Sequence, residues 1–153
     1  MNNDIKDIQL GKGLGKLVFD STREQVQKIL GKASEVERYS LSEMKGDETE
    51  AWHYDELSLS LSFDEENNWL LSSIAISSED FLLDGKPLIG RNKQEVLAEF
   101  KSKGYGEPEE DEEISREDPE SSLYIVEESG ISLWFEGDEL TEAQLSVYVG
   151  EEE

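Results

Sequence analysis

His53 is the first residue to weigh for chemistry, because it is the single histidine of the chain. An imidazole that works as a base or a metal ligand needs partners. The sequence holds no cysteine and no second histidine to share a metal. Between Trp52 and Tyr54 on a strand, His53 points away from the face those two rings share. The role left to it is contact with a partner. Gly11-Lys12-Gly13-Leu14-Gly15-Lys16 has the look of a phosphate loop, yet it lacks the glycine spacing and the Ser or Thr that would hold magnesium. It reads as a flexible turn. Asp64-Glu65-Glu66-Asn67-Asn68 lacks the alternating ligands and the terminal glutamate of a calcium loop. The 38 Asp and Glu residues allow a catalytic carboxylate pair by number, but nothing singles one out. The expectation is no catalytic set, no metal and no cofactor, with a carboxylate enzyme as an alternative.

Charge says more than motifs do. Against those acids stand 14 Lys and Arg, for a formal net charge of −24. Such a chain repels nucleic acid and anionic membrane, and draws basic proteins through fast, salt-sensitive association. A basic protein, such as a toxin or a nuclease, is the expected partner. The acids are densest after residue 106, where Glu109, Glu110, Asp111, Glu112 and Glu113 follow one another. Like charges in a run repel, so this segment is expected to be extended or mobile and to serve as a contact arm. Carboxylates spaced along a surface could also mimic DNA. The start of the chain carries acids and no apolar run, and no stretch approaches the roughly 20 apolar residues of a membrane span. With no cysteines to form disulfides, the cytoplasm is the expected compartment.

The elements that must position these groups show internal self-similarity. Gly15-Lys16-Leu17-Val18-Phe19 returns as Gly85-Lys86-Pro87-Leu88-Ile89. The helical stretches that follow match at the same offset of 70, Val96 against Val26 and Phe100 against Leu30. Ser21 offers an N-cap, with Ser21-Thr22-Arg23-Glu24 as a capping box. Val26, Ile29 and Leu30 form one apolar stripe, and Gly31 stops the helix. Asn92 caps the second helix, Val96, Leu97 and Phe100 form its stripe, and Gly104 follows it.

Strands come next. Leu57, Leu59, Leu61 and Phe63 alternate with serines, residues 64–68 turn, and residues 69–77 return. Residues 123–127, 131–136 and 143–149 are strands in the second part, with Ile131, Leu133, Phe135 and Leu145 facing inward. The expected fold is α+β. Two tandem helix-plus-antiparallel-sheet repeats, residues 1–80 and 81–153, form one compact unit with the helices on one face. The open face would then carry Ser60, Ser132, Trp134 and Tyr148, with the two aromatics as interface anchors.

Ser21-Thr22-Arg23-Glu24-Gln25-Val26, then Leu30-Gly31, then Trp52-His53-Tyr54 resemble the small helix-sheet domain of the outer-membrane assembly lipoproteins called BamE or SmpA/OmlA. In tandem, such units are similar to the β-lactamase-inhibitor-protein fold, which presents a sheet surface to a partner enzyme. The resemblance implies a protein-binding role. With the charge, it leads to the expectation of a bacterial immunity or inhibitor-type protein rather than an enzyme.

Overall fold

Short local signals set the elements. The computed structural model describes residues 5–40, 48–117 and 120–146. Strands β1 (Ile8–Gln9), β2 (Gly13–Leu14) and β3 (Leu17–Val18) form a small antiparallel sheet. Here the glycine string finds its purpose. Gly13 has φ +138, and a Cβ on it would lie 2.2 Å from the Leu17 carbonyl oxygen, so only glycine lets β2 and β3 close. This is ordered sheet, not the flexible turn expected.

Helix α1 (Arg23–Leu30) starts one residue later than expected. Thr22, not Ser21, is its N-cap, and Thr22 and Gln25 satisfy each other's free amides in a reciprocal capping box. Ser21 instead donates to the Val18 carbonyl. Gly31 ends the helix.

The main strands of the first part are β4 (Glu35–Ser40), β5 (Glu48–Tyr54), β6 (Leu59–Asp64) and β7 (Leu70–Ile76). The strand expected from Leu57 begins two residues later, because Leu57 closes a short 3₁₀ turn and Ser58 follows with a left-handed backbone. A small hairpin follows, β8 (Leu82–Leu83) with β9 (Lys86–Pro87). Then comes α2 (Lys93–Ser102), capped by the Asn92 side chain as expected. The chain continues through β10 (Glu109–Glu110), α3 (Glu112–Glu117), β11 (Ser121–Val126), β12 (Ile131–Glu136) and β13 (Glu139–Ser146).

Eight strands join into one antiparallel sheet in the order β10-β11-β12-β13-β7-β6-β5-β4. The early and late strands meet where β13 pairs with β7. On one face Leu59, Leu61, Phe63, Leu71, Ile74, Ile76, Leu133 and Phe135 are buried under Val26 of α1, Val96 and Phe100 of α2, and the N-terminal strands. Backbone bonds fix how each helix is approached. Asp20 donates to Leu71 and Leu71 to Ser21 before α1, while Gly90 donates to Leu140 and Leu140 to Arg91 before α2.

The expected fold, two tandem helix-plus-antiparallel-sheet repeats of α+β class, is therefore corrected. The chain is mostly strand, 46% against 22% helical, with one large antiparallel sheet and three short helices among the described residues. The physical reason lies at the sheet edges. Every residue of β4 is exposed and β10 is two glutamates, so neither shows the apolar alternation by which inner strands are read. The acidic segment was expected to be extended or mobile. It is ordered: Glu109 and Glu110 are extended and pair with β11, and the Asp111 carboxylate accepts from the amides of Glu113 and Ile114 to start α3.

Two acids beneath the sheet are compensated. Glu50 on β5 is 8% exposed and accepts from Arg23, Arg38 and the Trp52 indole. Both guanidinium groups lie about 5 Å from the Trp69 ring centre. Burial works against the charged form of Glu50, but these three bonds outweigh it and hold the carboxyl below its ordinary range. Glu99 on α2 is held the same way: burial opposes the charge, while Arg91 and Lys103 stabilise it more strongly.

Candidate functional site

The face of the sheet away from α1 and α2 is defined by strand register. One row crosses all eight strands: Glu109, Ile125, Ser132, Gln144, Ala75, Ser60, His53 and Glu35. At about 4.8 Å per strand it spans roughly 34 Å. A second row beside it runs Ser146, Ser73, Ser62, Ala51 and Glu37. The middle of the face is thus mostly serine and alanine, interrupted by Gln144 on β13, and another backbone can approach closely along its small residues. Trp134 stands on β12 opposite Glu142 of β13. Beside it Leu123 is only 8% exposed, on the strand against which α3 packs. At the far edge Tyr39, 45% exposed, stands with Glu35 and Glu37 on β4.

His53 and Ser60 face each other across β5 and β6. The Nδ1 of His53 lies 2.8 Å from Ser60 Oγ, and its Nε2 lies 2.8 Å from Glu37 Oε1. Hydroxyl, imidazole and carboxylate stand in the order of an acyl-transfer relay. Two further carboxylates, Asp55 and Glu142, stand near the hydroxyl. A cavity of about 310 Å³ opens at Ser60, lined also by Tyr54, Asp55, Ser58, Leu59, Ala75, Ile76, Ser77 and Glu142. A developing oxyanion there would meet two carboxylates. Around it the amides of Ser58 and Ser77 already donate to Asp55 and Ser58, and that of Asp55 to the Ser34 hydroxyl. Asp55 and Glu142 are exposed. A positive group would find several acceptors instead. The wall is firm: Tyr54 is buried, its hydroxyl donates to the Gly31 carbonyl at 2.8 Å, and burial pushes its pKa up to about 12.

The expected site residues are thus placed as follows. His53, Ser60, Ser132 and Glu109 share the long row, and Trp134 shares their face, with Ser132 and Trp134 outward as alternation requires. Glu110 falls opposite Tyr124, on the other side of its strand. Asp111 starts α3, and Glu112 and Glu113 occupy its exposed first turn. Tyr148 lies outside the described residues. Sequence reasoning missed Tyr39, Glu35 and Glu37 because β4 carries no readable period. It missed Asp55, Ala75 and Glu142 because three separate elements bring them together. Among the described residues no group of His, Cys, Asp or Glu is placed to hold a metal ion, and no helix is long and apolar enough to cross a membrane.

No protein-family model matches the chain, and neither curated proteins nor solved structures yield a match.

Proposed function

We propose that the chain is an acidic protein-binding module of immunity or inhibitor type, which covers a basic toxin or enzyme with the face of its sheet away from α1 and α2. The observation that carries this reading is the floor of Ser60, Ser62, Ser73, Ala75, Ser132 and Ser146, bounded by Trp134 on one side and by Tyr39, Glu35 and Glu37 on the other. Small floor residues permit close approach. Aromatics at the margins supply anchors, and a net charge of −24 selects basic surfaces and speeds encounter. The cysteine-free composition suits a reducing compartment, and the cytoplasm is the proposed location.

Affinity capture from source cells at low salt tests this, with Ser62→Arg as the matched control. The wild-type chain should retain a basic protein that salt releases, and Ser62→Arg should lose it while remaining folded by circular dichroism. Capture of nothing basic, or equal capture by both, overturns the reading. DNA mimicry gains one supporting observation, since the acids of β10 and α3 sit on ordered backbone. It would be favoured if the captured protein gave up DNA in exchange for this chain.

A further inference from the structure

We propose that the cavity beside Ser60 is an arginine seat: it takes one guanidinium side chain from the basic partner, an assignment that rests on the face away from α1 and α2 being the partner surface. Three observations converge on a side chain of this kind. The cavity holds about 310 Å³, at the small end of ligand pockets and suited to one side chain rather than a whole cofactor. Its lining is chiefly polar. Ser60 and half-buried Ala75 stand on the outer face of the sheet, and Asp55 and Glu142 are exposed. An arginine suits such a lining, because its methylene stem can lie over the alanine while its head stays among polar groups. Among the described residues no lysine or arginine lines the cavity, and no ion pair engages Asp55 or Glu142.

The acceptors also favour guanidinium over ammonium. Asp55 and Ser58 belong to the turn between β5 and β6, while Glu142 comes from β13, so the acceptors stand on two separate elements. A planar fork with five donors can engage separated acceptors at once, whereas an ammonium is a single point. The seat is also held in place. Ser60 Oγ is fixed by His53 at 2.8 Å, and the Ser77 amide donates to the Ser58 carbonyl at 3.1 Å. Small Ala75 on the floor leaves the space open. A larger side chain at that position would fill it.

The test is a titration of the full chain with N-acetylarginine amide, followed through backbone amide shifts. Its neutral isostere N-acetylcitrulline amide and N-acetyllysine amide run in parallel. Saturable shifts centred on Ser58, Ser60, Ala75 and Glu142 are expected with the arginine probe, weaker ones with lysine and none with citrulline. Asp55→Asn combined with Glu142→Gln should weaken the arginine probe about tenfold. Ala75→Leu should abolish its binding by filling the space. Both residues of the double variant are exposed, so it should fold as the parent does. Equal shifts with citrulline, or shifts scattered over the acidic surface without saturation, overturn the seat. The two proposals fail separately. A captured basic protein that binds the double variant and Ala75→Leu undiminished removes the seat and leaves the partner face standing. A saturable arginine site with no captured protein keeps the seat and removes the partner reading.

Discussion

Glu50 is where a single residue decides most. Its carboxylate is nearly buried, yet it remains charged because two guanidinium groups and an indole N–H donate to it. Glu50→Gln keeps the shape and removes the charge, leaving Arg23 and Arg38 over Trp69 without their shared counter-ion. The expected cost is about 2 kcal/mol, read as a lower urea midpoint with an unchanged slope. An unchanged midpoint would mean that solvent replaces the carboxylate without loss. None of this was legible beforehand, since residues 23, 38, 50 and 69 stand far apart in the chain and meet only when α1 packs beside the paired strands. The orientation of His53 was legible. Alternation along a strand separates it from Trp52 and Tyr54, and the register places it beside Ser60 on the other face. What alternation could not supply was Glu37, its second partner, which comes from an edge strand without a pattern.

Elements were readable in proportion to their burial. The inner strands β6 and β12 announce themselves by apolar residues at every second position, and β12 runs from Ile131 to Glu136 as expected. The helices carry caps and stripes, though the first cap lay one residue further on, at Thr22, because the reciprocal partner is Gln25 rather than Glu24. That difference is testable. Thr22→Ala should cost about 1 kcal/mol and lower the melting temperature by roughly 3 °C, seen in calorimetry. A loss of that size at Ser21→Ala and none at Thr22→Ala would contradict the assignment. The edge strand β4 was missed because edges face water on several sides, and its charged Glu35, Glu37 and Arg38 guard against unwanted pairing. The acidic segment was misread for a related reason. A charge run looks unstructured, but backbone pairing to β11 and a side-chain cap at Asp111 are enough to order it.

At the scale of the whole molecule, acid is the sensitive direction. Glu50 and Glu99 both titrate below the ordinary carboxylate value of 4.5 in the folded chain. The fold therefore binds fewer protons at these sites than the unfolded chain. Their contribution is present above that value and is lost as pH falls through their lowered pKa values. Relief of repulsion among the exposed acids acts in the opposite sense on first acidification. Stability followed by urea unfolding should thus hold or rise slightly down to about pH 5, then fall steeply below about pH 4. In Glu50→Gln that fall should be shallower. A parent chain that gains stability steadily into acid would show that the two compensated carboxylates carry little weight. By itself the sequence determined the charge, the absence of thiols, the helix caps, and which side chains of the inner strands face the core. Those properties are set by composition or by neighbours two to four residues apart. Only the tertiary structure decided the order of eight strands, the pairing of β7 with β13, the edge strands, the seat beside Ser60 and the charge cluster at Glu50. Each of these depends on register between distant segments, and local periodicity carries no record of which strand will lie beside which.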